Sequence, residues 1–120
     1  MTAVDISRWL HILGLVMAAL GVGVLAVYFN SEAAKPGLRK LGFSLHGAGL
    51  LILILAGFAM LGQKGYMSPF PVWAMAKLVL WLLLGSITVL AKRTRNVALV
   101  IAVFILIAGT AAYLGVMPKI

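Results

Sequence analysis

The run LGFSLHGAGLLILILAGFAMLG, residues 41–62, holds no acid, no lysine and no arginine, and its one titratable side chain is His46. As a helix, a run of this length rises about 33 Å, enough to cross the ~30 Å of hydrocarbon in a bilayer. A barrel strand would instead alternate apolar and polar residues over ~10 positions. Three other stretches have the same character, Trp9–Phe29, Val72–Ala91 and Val97–Met117, and only Lys77 puts a full charge inside any of them. The sequence therefore predicts an all-α fold, an integral membrane four-helix antiparallel bundle. Its connections of about ten, nine and five residues are short enough to make sequential helices neighbours. One transmembrane domain takes up residues 1–120, so a site can lie only in the bundle or at its two rims.

Composition agrees. Hydrophobic residues make up 64% of the chain and charged ones 10%, against roughly one quarter charged in an ordinary soluble domain. The net charge of +8 would suit a nucleic-acid binder, but the cations sit in short turns beside apolar helices, where lipid head groups are the natural partner. The bilayer is the expected partner, and nucleic acid is not. With no cysteine, disulfides, thiolate metal sites and covalent c-type haem attachment are excluded. The first apolar run follows Arg8, exceeds an ordinary signal-peptide core and is preceded by Asp5, so it reads as a retained helix. The stretches NSEAAKPG, GQKGYMSPFP and KRTRN mark the boundaries, with Pro71 at the first turn of the third helix.

Charge sets the expected orientation. Lys35, Arg39, Lys40, Lys92, Arg93 and Arg95 fall at the first and third turns, while Arg8, Lys64, Lys77 and Lys119 fall toward the other face. By the positive-inside rule the first and third turns are cytoplasmic and both termini lie outside. Trp9, Tyr66, Phe70, Trp73 and Tyr113 then form an outer aromatic belt, and Tyr28, Phe29 and Phe43 an inner one.

Helical spacing puts His11, Gly14, Ala18 and Gly21 on one stripe and Gly42, His46, Gly49, Leu53 and Ala56 on another. The fourth helix carries Ala98, Ala102, Gly109 and Ala112. Small residues at such spacing are expected to mark close helix contacts in a membrane. Lys77 shares a mixed stripe with Trp73, Trp81, Gly85 and Thr88. It has two readings. Its ammonium can snorkel back to the outer rim beside Trp73, or it can work with His11, at a similar depth, on an anionic group such as a haem propionate or lipid phosphate. Each histidine is in turn either an interhelical hydrogen-bonding group or an axial haem ligand. The two are expected at opposite ends of the bundle, each ~7 Å from its own surface, too far apart to face one iron. One haem would then need His11 with Met75 or another outer group, a dimer axis, or a partner subunit.

The run SPFPVWAMAKLVLWLLLGSITVLAKRTR and the chain after it resemble the second half of the SirB-like family of small bacterial membrane proteins, and SLHGAGLLILILAGFAML is similar to that family's histidine-bearing helix. More distantly the layout is similar to the group containing CopD-type copper proteins and HemJ-type protoporphyrinogen oxidases. The resemblance implies a bacterial inner-membrane protein and marks His11, His46, Trp73 and Lys77 as residues for a cofactor, with haem b as that cofactor and the two histidines as its metal ligands. LHG stands where a close SirB relative would have a histidine–proline step, and the arginine-bearing core of a HemJ enzyme is absent, which argues against stand-alone catalysis.

Other classes fit less well. A small multidrug exporter needs a carboxylate in its first membrane helix, and the only acids are Asp5 and Glu32, both outside the core. A fluoride-channel-like pore would have to be lined by Ser44, Ser86, Thr88 and Thr110 alone. The expected function is an accessory protein, homo-oligomeric or bound in a larger membrane complex, with haem b binding or redox-complex association. A purely structural subunit is the alternative.

Overall fold

A computed structural model describes residues 2–31, 36–65, 71–94 and 96–116. They form four helices, α1 (Ala3–Phe29), α2 (Pro36–Gln63), α3 (Val72–Thr94) and α4 (Val97–Val116), with no strand among the described residues. All four are long and apolar enough to cross a membrane.

Local chemistry sets each end. α1 starts well before Trp9 because Thr2 and Asp5 form a capping box: the Asp5 N–H donates to the Thr2 hydroxyl and the Thr2 N–H to the Asp5 carboxylate, both at 3.1 Å. The Asn30 side chain donates to the Ala26 carbonyl at 2.8 Å, satisfying one acceptor in the last turn. α2 starts at Pro36 rather than Leu41, since a proline at the first helical position loses no needed hydrogen bond. It gives way to Gly65, whose φ of +78° is the left-handed conformation that glycine adopts without steric cost. Pro71 sits just ahead of α3, its carbonyl accepting from the Ala74 and Met75 N–H groups. Lys92 and Arg93 carry α3 past Ala91, at the negative end of its dipole. Asn96 caps α4 by accepting from the Leu99 N–H at 3.1 Å.

Sequential helices run antiparallel. Gly14 lies against Gly49 and Leu53, while Gly21, further along α1, lies against Gly42 and His46, earlier on α2. Trp81 likewise reaches Leu50, and Leu84 reaches His46. α1 and α2 make the most extensive pair, α1 also touches α3 and α4, and among the described residues the backbones of α2 and α4 do not approach closely. Below, "top" is the end where α1 and α3 begin and "bottom" the end where they finish.

The α1/α2 seam is built from small residues. A Cβ added at Gly14 would lie 2.7 Å from the Gly49 carbonyl oxygen and the Leu53 nitrogen, and one added at Gly49 would lie 2.6 Å from the Gly14 oxygen. A Cβ at Gly21 would run into the backbone nitrogen of His46. Both predicted stripes of α1 and α2 are thus contacts, and they contact each other.

The stripe of α4 meets no other helix among the described residues. Ala98, Ala102 and Gly109 are exposed, and a Cβ at Gly109 would meet nothing within 4 Å, while Ala112, also exposed, borders the space between the helices at the top. α4 turns Val100 and Phe104 inward instead, against Val22 and Ala26 of α1 and Leu84, Ile87 and Ala91 of α3. These side chains fill the bottom half of the bundle. At that end Phe29 packs edge-on to Tyr28 and Phe43, with ring centroids 5.2 and 6.4 Å apart, and Arg39 lies 5.6 Å above the Phe43 ring. Trp9 and Tyr113 are exposed near the top. Lys35, Tyr66, Phe70, Arg95 and Lys119, on which the charge and belt readings also draw, lie outside the described residues.

Candidate functional site

Close packing at the bottom gives way to a cavity of ≈ 490 Å³ at the top, walled by all four helices. α2 and α3 touch little although they are consecutive, and among the described residues α4 offers the small side chains Ala108, Ala111 and Ala112 to the wall. The volume suits one ligand of drug or cofactor size. Most of the wall is aliphatic, with Trp73 and Trp81 as its flat surfaces.

His11 lines this cavity from α1, and Lys77 and Trp73 line it from α3. Three of the four residues singled out from sequence therefore share one chamber, and the Lys77 ammonium is within electrostatic range of the His11 ring. Arg8 and Lys64 line it as well. Arg8 is held loosely by Asp5, one helical turn away at 3.8 Å, in an exposed pair of small energetic weight. Among the described residues no acidic side chain is on the wall.

The His11 ring has a fixed setting. Nδ1 lies 2.9 Å from the carbonyl oxygen of Leu53, and since a carbonyl can only accept, Nδ1 carries the proton and donates. Nε2 is left as the nitrogen with a lone pair. A histidine oriented in this way by its other nitrogen is the usual form of a metal-bound imidazole. The ring also rests on Gly57, where an added Cβ would come 3.4 Å from Cε1.

His46 is set differently. It is 3% exposed, with Nδ1 3.2 Å from the Ala18 carbonyl oxygen and Nε2 3.1 Å from that of Leu84. Both ring nitrogens face backbone acceptors, so neither is offered to a ligand in this arrangement. Nor is His46 at the far end from His11. Because α2 begins at Pro36, His46 sits deep in its helix, level with Ala18, two turns or about 10 Å below His11. The two rings still cannot face one iron.

Sequence reasoning missed two parts of the chamber. Met75 is half exposed and off the wall, while Met60 of α2 is on it. The Trp81 indole N–H donates to the Leu50 carbonyl at 3.0 Å, tying α3 to α2 at the chamber floor. Its spacing one turn after Lys77 was the available signal, read there only as part of a mixed stripe. Among the described residues no group of three or more His, Cys, Asp or Glu side chains could hold a metal ion. No protein family, curated protein or solved structure matches the chain.

Proposed function

We propose that this chain is a small multi-pass accessory protein of a bacterial inner membrane, with both termini outside, like the SirB-like proteins it resembles. Its working part is the top cavity, which holds a cofactor, haem b, for a larger redox complex; it is not a stand-alone enzyme. The observation that carries this is the His11 tautomer: Nδ1–H is committed to Leu53, and Nε2 keeps its lone pair on a side chain that lines a chamber of cofactor size. His11 would hold the iron, and Lys77, Arg8 and Lys64 would face the carboxylates. Bound haem supplies one-electron chemistry, and the apolar wall would tune it by excluding water.

The test is the absorption spectrum of the gently purified protein, supplemented with haem b. A Soret band is expected in the unmodified protein and in His46→Gln, and none in His11→Ala. No band in any preparation would reject haem as the ligand. A second reading, a purely structural subunit, is favoured by the outward small-residue stripe of α4, which has no partner helix within the described chain.

A further inference from the structure

His46 has one proton for two acceptors. Its Nδ1 lies 3.2 Å from the Ala18 carbonyl oxygen of α1, and its Nε2 lies 3.1 Å from the Leu84 carbonyl oxygen of α3. A carbonyl only accepts, so both contacts call for an N–H, and a neutral imidazole has one. A second proton would need a counter-charge. The one acid among the described residues, Asp5, stands on α1 about 20 Å above Ala18. Within a turn of the ring, residues 14–22 of α1, 42–50 of α2 and 80–88 of α3 carry no other titratable side chain. An uncompensated charge on this buried ring would be costly, so the ring is neutral. Whichever nitrogen holds the proton, the lone pair of the other faces an oxygen.

The two helices answer that repulsion differently. α1 is fixed, because Gly14, Gly21, Gly42 and Gly49 bring its backbone against that of α2 on both sides of the ring. α3 touches α2 little. Below Leu84 its Ile87 and Ala91 belong to the core, whereas above Leu84 its Ala74, Lys77 and Leu78 border the chamber. We infer that His46 is a one-proton clasp on the chamber wall. With the proton on Nε2 the ring holds the Leu84 carbonyl and α3 stays close. With the proton on Nδ1 it holds Ala18, and the repelled upper half of α3 swings outward about Leu84, widening the chamber. The exchange breaks one N–H bond and forms the other through a water, and leaves the net charge unchanged. Trp81 donates to Leu50 in either state and limits the swing. Reading the chamber as a ligand site adds the consequence that the wider state admits ligand faster.

Nitrogen-15 spectra of the full chain in lipid bilayers, labelled at histidine, distinguish the two tautomers and the doubly protonated ring. His11, held by Leu53, is expected as Nδ1–H alone. His46, identified by the signals that disappear in His46→Gln, is expected in both tautomers. The side-chain amides of asparagine and glutamine donate from near the positions of Nδ1 and Nε2, so His46→Asn and His46→Gln each imitate one state. Since the chain has no cysteine, spin labels at Gln63→Cys and Val72→Cys, both exposed, report the spacing of α2 and α3 at the top. One short distance is expected in His46→Gln, a longer one in His46→Asn, and both in the protein with His46. A single His46 tautomer, a doubly protonated ring, or equal distances in the two variants would overturn the inference. Haem b is a separate arm: its Soret band should grow several-fold faster in His46→Asn than in His46→Gln. No band in either, with the distances as expected, would reject haem and leave the clasp standing.

Discussion

Two stripes of small residues in this chain look alike in sequence and end in opposite surroundings. Gly14, Ala18 and Gly21 of α1 are buried against Gly42, His46 and Gly49 of α2, whereas Ala98, Ala102 and Gly109 of α4 face outward. Spacing gives a helix a flat, small face, but close approach requires a second such face on a neighbouring helix. α1 and α2 supply each other's. α4 has α1 and α3 as neighbours, and these offer it Val22, Leu84 and Ile87, which pack better against Val100 and Phe104 than against alanine and glycine. A small stripe is therefore one half of a contact, and the other half has to be found before it is counted.

The comparison breaks most readily at the seam. Gly14→Ala and Gly21→Ala each add one methyl group where the nearest atoms are backbone, which cannot step aside as a side chain can. Each is expected to lower stability by about 3 kcal/mol, the upper end of overpacking costs, and Gly21→Ala by the greater amount. Thermal unfolding in detergent followed by circular dichroism measures this. A midpoint unchanged for both would mean that the helices do not approach at these glycines.

The second break separates the two histidines. His46→Leu removes the ring that joins α2 to both α1 and α3, at an expected cost of about 1–2 kcal/mol, the scale of one interhelical hydrogen bond in a membrane together with the close packing of a buried ring. His11→Ala removes one such bond, to Leu53, and should cost about half as much. Ligand retention should run the other way, lost in His11→Ala and kept in His46→Leu. If both variants lose stability and ligand alike, the division between a structural and a ligand-facing histidine fails.

Continuous apolar runs and short connections were enough to read the four helices, their antiparallel order and the α1 and α2 contact faces from sequence, because each depends on local composition or period. Helix starts were less legible. Thr2 and Pro36 act through capping geometry, and missing the early start of α2 displaced His46 toward the surface by more than a turn. For the site, His11 and Lys77 could be placed in one layer, a turn below Trp73 at the rim, by counting residues from the membrane edge. Trp81 shares the Lys77 face by spacing, but Met60 and the engaged nitrogens of His46 could not be placed, because they depend on which face of α2 meets which face of α3, and neither helix carries a period strong enough to say so.

The smallest expected effect is at Gly109, where sequence reasoning alone would expect the same damage as at Gly14. A leucine there meets open space, so the stability of the isolated chain should change by no more than about 0.5 kcal/mol, the usual size of an exposed substitution. Unfolding midpoints of Gly109→Leu and Gly14→Leu, measured side by side, give the sharpest form of the comparison. A loss at Gly109 equal to that at Gly14 would mean that α4 docks by its small face after all. If the midpoint is unchanged, chemical cross-linking in membranes adds a further reading. Cross-linked species that disappear only in Gly109→Leu would show that this stripe finds its missing half on another chain, the requirement that Gly42 and Gly49 meet for α1.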